Sequence, residues 1–365
     1  MESIYDAIHL PEVKDKAEKT FMELSRFLFS SEVRRYSVKD ASARRYPSPV
    51  FSCYLDALQH GLARDKPEEA RRALDLVGSS IRELVAMATT SEAALNDVVA
   101  PLHQVASRFL TLCLEEAWVR RSAGCGGIKL MTDISDLGVR WVTEREVDLV
   151  RMLLHVLKDM SHDVSHDADS VVDVLNRVLR VSTEEMTAND SEQERSNKIM
   201  QIVGLFFAEL SSPNPIVRKA AQGCISLLAE LSGKTIVDLL MPHRDRMLAS
   251  IYTKPLRALP FPLQIGMIEG IRYCISLQPP LPELNDELLR LLHETLALAD
   301  ADDMALMGRN NHPRQNSMEI TKLRVACIKL LTASMPMTDF FSKQAQTRQR
   351  FVLLPRVTSR ADSSC

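Results

Sequence analysis

Apolar side chains recur every three or four residues along almost the whole chain, with polar residues between them. Ala17, Phe21, Leu24 and Leu28 mark one such stripe, and Ala70, Leu74, Val77, Ile81 and Leu84 a second. Val98, Leu102, Val105, Phe109 and Leu112 follow, then Val147, Val150, Leu154 and Leu157, then Val171, Val174, Val178 and Val181. Later stripes run through Ile199, Val203, Phe206 and Leu210, and through Val217, Ala221, Cys224, Leu228 and Leu231. The last two are Leu288, Leu291, Thr295 and Leu298, then Ile320, Leu323, Cys327, Leu330 and Ser334. Steps of three and four place one side chain per turn on a common face of a 3.6-residue helix. None of these stripes alternates as a half-buried strand would, so the pattern predicts an all-α chain.

The punctuation between stripes agrees. Prolines at 47 and 49, 67, 213 and 215, 260 and 262, between 279 and 282, and at 336 fall at junctions. Proline suits turns and first helical turns but costs about 3 kcal/mol inside a helix. Thr143-x-x-Glu146 and Ser191-x-x-Glu194 each fit a capping box, which predicts helix starts there. The sum is about a dozen helices of roughly 12–22 residues, or about six antiparallel pairs spaced roughly 40–60 residues apart. Three stretches read as long loops: 34–47, with Arg34, Arg35, Lys39, Arg44 and Arg45; 120–142, with Gly124, Gly126, Gly127 and Gly138; and 300–316, with Asp300, Asp302 and Asp303. Loops of that length are expected to carry function or to be disordered.

The stretch from Ser212 to Leu231 is the most specific. A turn on Pro213, Asn214 and Pro215 leads into Ile216-Val-Arg218-Lys-Ala-Ala221, which resembles the second helix of a HEAT repeat. The resemblance implies a HEAT-like α-solenoid of about six antiparallel helix pairs over residues 1–348, followed by a divergent, disordered tail over 349–365. Arg218 and Arg324 occupy matching places in Val-Arg-Lys-Ala-Ala and Leu-Arg-Val-Ala-Cys. Each guanidinium is expected along an inter-repeat seam, bonding carbonyls or an acid of the neighbouring pair, because its planar five-donor fork suits ordered interfaces.

Composition narrows the classes. Glycine numbers 12 of 365 residues and aromatics 5%, which favours helix over sheet. The formal net charge of −3 gives no bulk attraction to nucleic acid or to a membrane surface. Seven cysteines without a C-x-x-C pair point to a reducing compartment. No apolar run approaches the roughly 18–20 residues a membrane span needs. The start, Met-Glu-Ser-Ile-Tyr-Asp, has neither the basic nor the hydrophobic region of a secretory signal.

Candidate chemistry is thin. Gly124-Cys-Gly-Gly-Ile-Lys129 lacks the spacing of a phosphate loop and has no strand before it, so a plain turn is expected. His162 and His166, with Asp163, Asp167 and Asp169, are metal-capable, but they lie at a helix junction where a polar turn is expected anyway. No G-x-S-x-G or H-E-x-x-H occurs. His103, His155 and His243 read as surface or capping residues, and Cys113, Cys224, Cys274 and Cys327 as core fillers. The basic stretch 34–47, with only Tyr36 and Tyr46 as stacking platforms, reads as solvated rather than bound to nucleic acid.

Four segments carry a narrower resemblance: Gly233–Arg246, Lys254-Pro-Leu-Arg-Ala-Leu-Pro-Phe-Pro-Leu-Gln-Ile-Gly266, Cys274–Leu284, and Leu323-Arg-Val-Ala-Cys-Ile-Lys-Leu330. With Ala123–Leu130 they make residues 1–348 similar to the transformation/transcription-domain-associated protein family, very large pseudokinases related to phosphatidylinositol-3-kinase-like kinases. The resemblance implies a catalytically silent scaffold segment in the nucleus, with no cofactor and no small-molecule substrate. Its implied partners are transcription activators and subunits of SAGA-type and nucleosomal histone acetyltransferase complexes. The stretch holds no kinase-like domain, so a fragment or an incomplete gene model is expected. Two other readings stay open: a different HEAT-repeat adaptor, such as a nuclear transport or phosphatase scaffold, and an enzyme with an unrecognised site.

Overall fold

A computed structural model describes residues 2–37, 47–88, 92–134, 137–160, 162–189, 192–253, 255–303, 306 and 313–337. Among the described residues every regular element is helical and no strand occurs. The tail at 349–365 lies outside them, as do Lys39, Arg44 and Arg45. Among the described residues no helix is long and apolar enough to cross a membrane. The chain divides into two compact units, Met1–Arg195 and Ser196–Cys365.

The first unit contains α1 (Glu2–Ile8), α2 (Lys14–Ser37), α3 (Pro49–Leu62), α4 (Pro67–Ala88), α5 (Glu92–Cys113), α6 (Trp118–Asp133), α7 (Leu137–Lys158), a 3-10 turn (His162–Asp167) and α8 (Ala168–Asn189). Successive helices pack as hairpins, α1 on α2, α3 on α4, α5 on α6 and α7 on α8. Each helix also meets the one two places on. Thus α2, α4, α6 and α8 form one layer, and α1, α3, α5 and α7 the other. Repeated helix pairs stacked in two layers are the architecture of an α-solenoid.

The core lies between the layers, where the stripes point. Val77, Ile81 and Leu84 of α4, Leu102, Val105, Phe109 and Leu112 of α5, and Val171, Val174 and Val178 of α8 are all buried. An aromatic knot closes the other end: Phe29 stands edge-on to both Phe51 and Tyr54, with ring centroids 5.5 and 5.6 Å away.

The second unit holds the body of α9 (Glu192–Glu209), then α10 (Pro215–Ser232), α11 (Ile236–Leu240), α12 (Arg244–Tyr252), α13 (Phe261–Ser276), α14 (Asp286–Asp300) and α15 (Pro313–Ser334). Helix α15 packs on both α13 and α14. Its stripe Ile320, Leu323, Cys327, Leu330 and Ser334 is buried throughout, as is Leu288, Leu291, Thr295 and Leu298 of α14.

Four expectations are corrected. The supposed loop at 120–142 is helical: α6 covers nearly all its glycines and α7 begins at Leu137. A Cβ on Gly124 would stand 2.7 Å from the Phe109 carbonyl oxygen and 2.8 Å from the Cys113 amide nitrogen, and one on Gly127 would enter the Phe109 ring. The glycines therefore let α6 lie directly on the α5 backbone, at the cost of the apolar stripe that would have announced the helix. The 34–47 stretch is shorter than expected, because α2 runs to Ser37. The 300–316 stretch is shorter too, because α15 begins at Pro313. The Thr143 capping box is no helix start: Thr143 lies inside α7 and donates to the Val139 carbonyl at 2.9 Å, while buried Glu146 accepts from Ser182 of α8. The Ser191 box falls outside the described residues. Pro101 breaks the junction rule, standing inside α5.

Two glycines should respond oppositely to alanine. Gly124→Ala forces backbone apart and is expected to cost about 2 kcal/mol by overpacking. A Cβ on Gly223 of α10 would meet nothing within 4 Å, so Gly223→Ala should gain about 0.5–1 kcal/mol from helix propensity. Urea unfolding midpoints of the two variants check both signs.

Candidate interaction surface and its arginine anchors

Helix α10 is set by its ends. Asn214 Oδ1 accepts from the Ile216 amide at 2.9 Å, Pro215 occupies the first turn, and Gly233 closes the helix in the left-handed region at φ 63°. That start places Arg218 in the first turn facing inward, 9% exposed. Its Nη1 donates to the carbonyls of Ser212 at 2.6 Å and Pro213 at 3.1 Å. Both belong to the turn before its own helix. Helix α13 meets the same turn from the other side: a Cβ on Gly266 would stand 2.5 Å from the Ser211 oxygen and 2.7 Å from the Ser212 oxygen. Burial lowers the Arg218 pKa, Glu269 of α13 opposes that, and Arg272 adds to it.

Arg324 donates from Nη2 to the Ala301 carbonyl at 2.7 Å and pairs with Asp303 Oδ1 at 2.6 Å. It thus ties α15 to the end of α14. The two arginines do not share a helical position: Arg218 is in the first turn of α10, whereas α15 begins at Pro313, well before Arg324. Sequence reasoning missed a third anchor, Arg121 of α6. It donates to the Glu115 carbonyl, to the Asp159 carbonyl at 3.1 Å and to Asp159 Oδ2 at 2.7 Å, so it ties the α5–α6 turn to the end of α7. Arg121 stands in the first turn of α6 as Arg218 does in α10. Counted from the helix starts at Trp118 and Pro215, Val119-Arg-Arg121-Ser-Ala123 lies over Ile216-Val-Arg218-Lys-Ala220, a signal hidden because the segment read as a loop.

The other candidates take ordinary tasks. Asp167 Oδ2 accepts from Trp118 Nε1 at 2.8 Å, so the turn before α8 holds the start of α6. Among the described residues no three His, Cys, Asp or Glu side chains are grouped to hold a metal ion; the His162 side chain lies outside them. Lys129, at the end of the glycine segment, pairs with Asp173 of α8 at 2.8 Å. His103 is half-buried, and burial, with Arg145 second, lowers its pKa. His243 Nε2 lies 2.9 Å from the Met200 carbonyl oxygen. Cys113, Cys224, Cys274 and Cys327 are buried.

The first unit also carries a polar groove. Two adjoining depressions, of about 340 and 250 Å³, share His60, Ala63 and Arg120. The ion pairs Arg64–Asp6 at 2.6 Å, Arg120–Glu115 at 3.4 Å and Arg108–Asp56 at 2.7 Å stand along it. Exposed pairs of this kind add little stability, but they place both signs of charge along the groove.

Stacked helix pairs, with arginines on the carbonyls of their turns, define a helical-repeat protein segment. The chain belongs to the family described as the Tra1 HEAT repeat ring region, which it matches over residues 1–360. It is 36% identical over 250 residues to the SAGA complex/NuA4 acetyltransferase complex subunit Tra1 of Schizosaccharomyces pombe, covering 67% of this chain and 7% of that protein. It is 30% identical over 357 residues to subunit TRA1 of the same complexes in Saccharomyces cerevisiae, covering 94% of this chain and 9% of that protein. Against the human transformation/transcription domain-associated protein the identity is 28% over 240 residues, covering 63% and 6%. The chain spans less than a tenth of the length of these relatives.

Arg218→Met keeps the aliphatic stem but strands two carbonyls, and should cost about 1–3 kcal/mol. Arg218→Lys should recover only part of that, since a single ammonium replaces a planar fork; chemical unfolding of both variants measures the ordering. The buried thiols give a second test. Burial pushes Cys224, Cys274 and Cys327 from 9.0 up to about 12. Their neutral form therefore stabilises the fold fully below about pH 9, and that contribution is lost as pH rises toward 12. Iodoacetamide at pH 8 should alkylate exposed Cys53 and spare these three until urea unfolds the chain.

Proposed function

We propose that this chain is a noncatalytic scaffold segment of a transcription coactivator, acting in the nucleus within histone acetyltransferase complexes of the SAGA and NuA4 type. The supporting observation is the match to a HEAT repeat ring over residues 1–360, together with relatives named as subunits of those complexes. In such a stack the apolar stripes are used up between neighbouring helices, while outer ridges and turns stay free for partners. Arg121, Arg218 and Arg324 serve in this reading as seam residues: each fixes a turn so that the next helix docks at one angle. The partners are sibling subunits and transcription activators, whose acidic amphipathic segments lie against helix faces as peptides do in helix-in-groove recognition. No catalytic residue, cofactor or direct nucleic-acid contact belongs to the proposal.

Affinity purification of the tagged chain from nuclear extract, read by mass spectrometry, should recover histone acetyltransferase subunits above an untagged control. Recovery of transport GTPases or of phosphatase catalytic subunits in their place would replace this reading with another HEAT adaptor. Immobilised acidic activation peptides should retain the chain at physiological salt, and no retention would remove activator binding from this segment.

A further inference from the structure

The junction between α2 and α3 is held by one buried carboxylate. Glu32 of α2 is 1% exposed. Its Oε2 accepts from the Ser48 hydroxyl at 2.6 Å, and its Oε1 accepts from the Ser48 amide and from Arg35 Nη1, both at 3.0 Å. The same Ser48 Oγ caps α3, accepting from the Phe51 amide at 3.2 Å. Ser48 thus serves two helices with one hydroxyl, and only while that hydroxyl carries its proton. Unlike Glu32, Ser48 is half-buried, and the chain after it turns outward: Pro49 is exposed and Val50 is 65% exposed. The dipeptide Ser48-Pro49 is the sequence that proline-directed protein kinases read. It occurs once more in the chain, at Ser212-Pro213, where Ser212 is buried and its carbonyl is held by Arg218.

We propose that Ser48 is a phosphorylation site for a proline-directed kinase, and that the phosphate unlocks α3 from α2. In the transfer, Ser48 Oγ attacks the γ-phosphorus of the nucleoside triphosphate bound to the kinase. The Oγ–P bond forms as the bridging P–O bond to the β-phosphate breaks. The hydroxyl proton passes to the kinase's base, and nucleoside diphosphate leaves. The product has no proton to give Glu32, and it places a charge of roughly −2 beside a carboxylate removed from water. The half-charge at the α3 N-terminus and the partly exposed Arg35 attract the phosphate, but the buried carboxylate cannot leave its site while α2 stays folded. The relief is for the Ser48 end of α3 to swing out.

The test incubates the full chain with a proline-directed kinase and Mg·ATP, maps phosphate by mass spectrometry, and follows hydrogen exchange in α3. Phosphate is expected on Ser48 and not on Ser212, with amides from Phe51 to Tyr54 exchanging at least tenfold faster. In Glu32→Gln, which accepts hydrogen bonds without a charge, phosphorylation at Ser48 should leave that exchange within about twofold of the unphosphorylated variant. A chain that takes no phosphate at Ser48 overturns the proposal. A free peptide of residues 43–54 treated in parallel then assigns the failure to burial, if the peptide is labelled, or to the sequence, if it is not. Phosphate without faster exchange, or equal acceleration in Glu32→Gln, overturns the unlocking.

Discussion

The structure depends on helices meeting closely enough to bury one stripe against two neighbours at once. A lone amphipathic helix gains little in water, because nucleation is costly and one face stays wet. In the first unit each helix packs on its hairpin partner and on the helix two places along, so each stripe is covered from both directions. The approach of α6 to α5 is made possible by Gly124 and Gly127, which remove the side chains that would hold the two backbones apart. Elsewhere Val, Leu and Phe fill the gap, and the core is correspondingly continuous.

Close stacking raises a second problem, which arginine solves. Wherever a turn is covered by the next helix, its carbonyls lose water and need a donor. Arg121, Arg218 and Arg324 supply it, each reaching a carbonyl at the end of a neighbouring element. A guanidinium suits the task because it stays charged when partly buried and its donors are fixed in a plane. Burial does pull at Arg218, yet the acid Glu269 across the contact counters it. The turns are thereby held in place without being made apolar.

The sequence showed the helices through their three-and-four spacing, and the buried faces of α5, α8, α14 and α15 are the ones the stripes mark. It concealed α6 because glycine has no hydrophobicity to register, although in a tight helix contact its lack of a side chain is the packing feature. Thr143-x-x-Glu146 misled for the opposite reason: residue types suited to a cap stand mid-helix, where Thr143 bonds back to its own helix and Glu146 is claimed by Ser182 of another. That pairing spans 36 residues, so no local pattern announces it. The same holds for Arg121, whose acid partner lies 38 residues on, and for Glu32, whose hold on Ser48 spans 16 residues.

If cohesion in the first unit is the sum of neighbouring contacts, opening should begin at its ends and reach the centre last. Native-state hydrogen exchange across Met1–Arg195 in rising, sub-denaturing urea measures this directly. Amides of α5 and α6 around Phe109, Leu112 and Ile128 should be protected longest, with protection falling toward α1. Amides in α1 exchanging as slowly as those around Phe109 would contradict a stack held by its neighbours.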